Sequence, residues 1–198
     1  MVDPRTILFS MPTITDDAPP LTQFEGVPGD TDLVMHEDEW RQLEFFSADQ
    51  RPLLERTLTE FKAFEAANRM QSGWRQIFLR RLPPALVLHG ADASNALSDL
   101  LNAQPAPGPI IYHGANSIQG RVQNGFSVRL GAGAALYGYR NETGVPVLGA
   151  HLQNADDRLL TNAFTTLYRS HGLLLVDWRA QMLVLSVEAN GQIGIWTP

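Results

Sequence analysis

From Ile110 to the C-terminus the sequence breaks into short apolar or alternating runs, and a helical period interrupts them once. Ile110–His113, Phe126–Leu130, Ala134–Arg140, Val145–Leu152, Gly172–Trp178, Met182–Glu188 and Ile193–Trp196 each read as a strand. Asn124-Gly125, Asn141–Gly144 and Asn190-Gly191 fall between them. Asn and Gly accept the positive φ that tight hairpins demand, so this punctuation predicts antiparallel pairing. Parallel α/β folds need a helix between successive strands, and that spacing is missing.

The helical signals are few and isolated. Leu54, Leu58, Phe61 and Glu65 recur at helical spacing within 49–70, beside Leu53, Thr57 and Phe64. Ser47 or Asp49 is placed to cap this segment, Pro52 suits its first turn, and Gly73 follows its end. Residues 155–170 carry a stripe of Leu159, Leu160, Ala163, Phe164 and Leu167, with Asn154 as the expected cap and Gly172 as the stop. A short helix is predicted over 92–103, with Leu97, Leu100 and Leu101 inward. Earlier strands are predicted near Leu33–Met35, over Trp40–Phe46, and over Trp74–Leu82, where Pro83-Pro84 stops the run. The expected class is α+β. It comprises mainly antiparallel sheet packed by two long amphipathic helices and one short helix, and it ends in a three-stranded meander.

Prolines and charge divide the chain further. Residues 1–31 read as an acidic loop or arm, 32–103 as an N-terminal α+β portion, 104–109 as a linker (QPAPGP), and 110–198 as a C-terminal α+β portion. The 198 residues are long enough for these portions to share one core. The net charge of −6 is unevenly spread. Residues 1–50 hold eleven acidic against two basic groups, a net of −9, whereas 51–198 are at +3. Such a field repels nucleic acid and anionic membrane and attracts a basic protein surface. The first residues lack a basic stretch followed by an apolar one, so a secretory leader is not expected and the cytoplasm is. No run approaches the roughly 18 apolar residues that read as a membrane-spanning helix.

Several chemistries lack their residues or spacing. With no cysteine there is no disulfide, thiolate nucleophile or Cys-based metal site. Fourteen of fifteen cations are Arg, and Lys62 is the lone candidate for Schiff-base chemistry. The Gly131-Ala132-Gly133 run ends at Leu136 where a dinucleotide fingerprint requires glycine. His36, His89, His113, His151 and His171 show no HExxH or close-pair spacing, so neither a metal nor a cofactor is expected. No GxSxG elbow occurs. A carboxylate pair from distant strands, Glu44 with Asp177, reads more simply as two Arg–carboxylate bridges.

What remains points to binding. Trp40, Gln42 and Glu44 share one face of a predicted strand, and Trp74 shares another with Gln76 and Phe78. Trp beside Arg and Gln is the composition of interface hot spots, although tryptophans that plug a core have the same signature. With the acidic Glu37, Asp38 and Glu39, these residues form the expected binding set. The expected function is a non-enzymatic, immunity- or adaptor-like module of a bacterial cytoplasm that engages a basic protein. The alternative is a hydrolase or small-ligand enzyme assembled from His113, His151, Tyr137, Arg140 and Glu142 of the glycine-rich strand region.

Overall fold

The computed structural model describes residues 8–114 and 117–198. It is a mixed α+β structure with mostly antiparallel sheets and, among the described residues, three α-helices. Eight strands form the main sheet. From edge to edge they are Ile193–Trp196, Met182–Val187, Leu174–Asp177, Leu43–Phe46, Val147–Leu152, Ala134–Tyr139, Gly125–Gly131 and Pro105–Pro107. Every neighbouring pair in it is antiparallel. Leu43–Phe46 lies between strands drawn from residues 147–177, so the N-terminal portion supplies a central strand of the C-terminal portion's sheet. Residues 104–109 are no free linker, because Pro105–Pro107 pairs with Phe126–Val128 as the sheet edge. Proline fits there, since an edge strand needs ladder donors on one side only.

A second sheet of four strands runs Leu21–Thr22, Ser117–Val122, Ile110–His113, Val34–His36, with the last pair parallel. Ser117–Val122 has no counterpart among the expected strands. In the 1–31 arm, Thr13–Thr15 pairs in parallel with Phe78–Arg80, and Phe9 exchanges backbone hydrogen bonds with Trp74. The single strand expected over Trp74–Leu82 is therefore two short pieces. Each is fixed by a different part of the arm.

Helix α1 (Arg51–Asn68) buries Leu54, Leu58 and Phe61. A 3-10 turn at Ala48–Gln50 leads into it, and neither Ser47 nor Asp49 makes the expected cap contact with its first turn. Helix α2 spans Ala93–Leu100 and α3 spans Asp157–His171. Asp156, not Asn154, caps α3, accepting a hydrogen bond from the Arg158 N–H at 2.9 Å. Gly172 ends it in the left-handed region at φ 66°, with its N–H on Tyr168. No helix is long and apolar enough to cross a membrane among the described residues.

The pleat divides the core into three. One face of the main sheet presents Phe45, Val128, Leu136, Leu148 and Leu175 to Leu97 of α2 and to Phe164 and Leu167 of α3. Their sequence neighbours point the other way, as strand alternation requires. There Phe46, Leu174, Val176 and Leu183 meet Leu54 and Leu58 of α1. On the same side Tyr137 and Val147 meet Met35, Trp40, Ile111 and Val122 beneath the four-stranded sheet. Glu44 lies two positions from Phe46 on that face. It therefore sits where the helix-covered half gives way to the sheet-covered half.

Candidate functional site

The seam between those two halves is polar. Arg41, Gln42, Glu44, Arg80 and Thr13 are all buried in it, together with Tyr137 and Trp178. Arg41 lies outside the expected Trp40–Phe46 strand geometry: its φ of 58° ends the alternation, and pairing begins at Leu43. A left-handed φ on a residue with a Cβ costs about 1 kcal/mol or more and persists only when surroundings fix it. Here they do. The Arg41 N–H donates to the Tyr137 hydroxyl at 2.8 Å, and its carbonyl accepts from Arg80 Nη2 at 2.9 Å. Its side chain donates from Nε to Glu44 Oε1 at 2.7 Å and from Nη1 to Asp17 Oδ2 at 2.6 Å.

Arg80 reaches the same seam from the strand beside the arm. It donates to Thr13 Oγ1 at 3.1 Å and lies over the Trp178 ring. Burial pushes its pKa down to about 9, opposed by the charge of Glu44. Burial likewise pushes the Glu44 carboxyl up, and the Arg41 and Arg80 guanidiniums pull it back. The Tyr137 phenol is held well above its ordinary value, first by burial. Gln42 Oε1, Arg80 Nε and the indole nitrogen of Trp40 lack hydrogen-bond partners among the described residues. Each such buried atom costs about 1–3 kcal/mol, so the seam is a costly device.

Directly above it stands the acidic triplet. Glu37–Glu39 form a 3-10 turn at the end of the Val34–His36 strand. Gln42 Nε2 donates to the Asp38 carbonyl at 2.8 Å and to the Thr13 carbonyl at 2.9 Å, holding the turn from below. The three carboxylates point outward, their side chains 35%, 38% and 36% exposed. Each faces one histidine. Glu37 contacts His113 and accepts from Gln119 at 2.7 Å, Asp38 stands 3.4 Å from His36, and Glu39 stands 3.8 Å from His151. Burial raises the Glu37 carboxyl, but the hydrogen bonds from His113 and Gln119 outweigh it and leave the pKa lowered. Burial holds the His151 imidazole below its ordinary value, with Glu39 opposing and Arg179 assisting.

The expected binding residues therefore separate into two layers. Glu37, Asp38 and Glu39 are accessible. Trp40, Gln42 and Glu44 are 2%, 5% and 1% exposed and touch no partner surface directly. Trp74 lies elsewhere, half-buried, its indole donating to Glu65 at 3.3 Å with Arg69 over its ring. Asp32 is also spent internally, accepting from Arg121 at 2.7 Å and from the Gly29 N–H at 2.9 Å. Glu44 and Asp177 make no carboxylate pair: Asp177 caps its own turn through the Ala180 N–H.

The alternative set does not converge. Tyr137 is buried under the acidic turn, and His113 and His151 meet different carboxylates of it. Arg140 and Glu142 line a separate shallow cleft with Asn124. Among the described residues no group of three or more His, Asp or Glu is placed to hold a metal ion. Arg41, Asp17, Thr13 and Arg80 are site residues the sequence did not single out. Arg41 beside Trp40 has interface composition as its one local pointer, and Asp17, Thr13 and Arg80 have none.

Fold and site together define a class: an α+β domain in which a buried ion network fixes an acidic, histidine-flanked turn at the junction of two sheets. Comparison with family models, with curated proteins and with solved structures returned no match for the chain.

Proposed function

We propose that the chain is a non-enzymatic protein-binding module, immunity- or adaptor-like and cytoplasmic, that engages a basic partner through Glu37, Asp38 and Glu39. One observation carries this reading. Three adjacent carboxylates are presented on a turn whose backbone is tied to a buried network by Gln42 and Tyr137. A preorganised charged surface loses little entropy on binding and steers its partner electrostatically. In this reading α1 and α3 are amphipathic braces on opposite faces of the main sheet. The last three strands form a meander whose first turn, Asp177 to Arg179, lies beside Glu39 and His151.

The test is capture from native lysate with the tagged chain and with its Glu37→Gln, Asp38→Asn, Glu39→Gln variant. The expected result is one stoichiometric basic protein, retained at low salt, released as ionic strength rises, and missing from the variant. Recovery of chaperones alone, or equal retention by the variant, removes the proposal.

A further inference from the structure

A cleft of about 320 Å³ opens beside the buried network, away from the acidic turn. One wall is apolar, built from Phe46, Leu82, Pro83-Pro84, Val87 and Val147, and the other is polar, carrying Asp16, Asp17, Ser47, Gln50 and Tyr139. Its one cation is Arg41, whose side chain is only 8% exposed. The volume falls within the range of small-molecule sites, which set a few placed polar or charged groups against apolar wall.

The occupant of that anchor is unusual. Arg41 Nε is committed to Glu44, which is buried and belongs to the fold. Its outward-facing Nη1 is held by Asp17, whose side chain is 54% exposed and comes from the arm. No structural need requires an exposed carboxylate there, because the arm is already fixed by the Thr13–Thr15 pairing and the Thr13 hydroxyl contact. The strained backbone at Arg41 aims the guanidinium into the cleft and is held there independently of Asp17.

We propose that this cleft is a binding site for an organic carboxylate with an apolar body, and that Asp17 is a built-in stand-in which the ligand displaces. The exchange replaces one carboxylate on Nη1 by another, so the buried charges around Arg41 stay balanced. A dianionic phosphate would instead add a second negative charge beside Glu44 and Asp16, whose cations Arg80 and Arg81 are already engaged. The apolar wall takes the ligand's body. Two sources fit the chemistry, a free aromatic or aliphatic acid and the C-terminus of a peptide.

Calorimetric titration with sodium benzoate tests it, using benzamide and inorganic phosphate as controls. A peptide ending in a free phenylalanine carboxylate, and the same peptide amidated, separate the two sources. Asp17→Asn removes the competing charge and is expected to tighten benzoate binding about tenfold, the value of a charge-assisted hydrogen bond. Arg41 variants are unsuitable because they disturb the fold. Gln50→Glu instead adds a like charge at the cleft beside the start of α1, where an acidic residue favours the helix, and is expected to weaken binding without unfolding. Saturable binding of benzoate or of the free-ended peptide, with both shifts, supports the site. Silence of both probes on the Asp17→Asn variant overturns it, as does binding indifferent to both substitutions or equal binding of benzamide or phosphate.

Discussion

The Arg80 guanidinium lies 4.9 Å from the centroid of the Trp178 ring, and the two join parts of the chain that share no strand pairing. Arg80 belongs to the strand beside the arm, whereas Trp178 follows the Leu174–Asp177 strand of the main sheet. Through the same guanidinium the Thr13 hydroxyl and the Arg41 carbonyl are satisfied, so one buried cation ties the arm, the main sheet and the base of the acidic turn. The Trp178 backbone N–H closes the circuit on the Gln42 carbonyl at 3.0 Å.

Removing that cation is expected to be costly. Arg80→Met keeps bulk against Trp178 but leaves the Arg41 carbonyl without a donor and one positive charge fewer around Glu44. Breaking a buried charge network by taking one member costs about 3–5 kcal/mol. The neighbouring Arg81 is 76% exposed and pairs with Asp16 at the surface, so Arg81→Met should stay within about 0.5 kcal/mol of the parent. Urea unfolding of both variants makes the comparison. Equal midpoints would mean that Arg80 contributes only its hydrocarbon stem.

Tyr137 and Gly149 should prove coupled. Tyr137→Phe takes the acceptor from the Arg41 N–H inside the core and is expected to destabilise by about 1–3 kcal/mol. Gly149 pairs directly with Tyr137, and a Cβ there would come within 2.6 Å of the Tyr137 ring. Gly149→Ala therefore pushes the same ring off the same N–H. In a double-mutant cycle the combined loss should fall short of the sum of the two single losses. Strict additivity would show that the alanine acts elsewhere.

What the sequence revealed was what is decided locally. The end of α3 at Gly172 follows from one residue's freedom at positive φ, and the strands from Ile110 onward, Ser117–Val122 excepted, follow from alternation between turn pairs. The prolines of 104–109 suggested a linker, yet they suit an edge strand equally well, and only Phe126–Val128 as neighbour distinguishes the two. The break at Arg41 carries no local signal, because arginine has no bias toward left-handed backbone and the position is imposed by Tyr137 and Arg80 from other strands. The same holds for Trp40, Gln42 and Glu44. Alternation puts them on one face, but whether that face meets solvent or a second sheet depends on the pairing of Val34–His36 with Ile110–His113. Glu37, Asp38 and Glu39 were legible as charges; their three histidine neighbours were not.

One of those histidines sets a pH dependence. Burial lowers the folded-state pKa of His151 beneath its ordinary value of 6.5, so the unfolded chain binds the proton more readily. Its contribution to stability is complete above about pH 6.5 and is lost as pH falls through that value toward the folded pKa. Thermal melts at pH 7.5 and 5.5 should show the parent losing more than His151→Gln across this interval. Parallel losses would place the acid sensitivity in other groups.

The acidic turn itself makes the last prediction, and it rests on the binding role proposed above. Replacing Glu37, Asp38 and Glu39 by Lys reverses the charge facing a basic partner. Electrostatic steering raises association rates by about 10 to 1000-fold, so the captured partner should bind the variant at least about tenfold more slowly at low salt. The two rates should converge as salt shortens the Debye length below about 8 Å. Dissociation should change less, because side chains a third exposed act mainly through the field before contact. Folding should survive, since Gln42 grips the turn through the Asp38 carbonyl, which the substitutions leave in place. The variant still gives up the Glu37 contacts with His113 and Gln119, so a loss of about 1 kcal/mol in urea unfolding is expected. Stopped-flow association across a salt series, beside that unfolding curve, separates the outcomes. A folded variant that associates at the parental rate at low salt would mean that the triplet serves its histidines and not a partner.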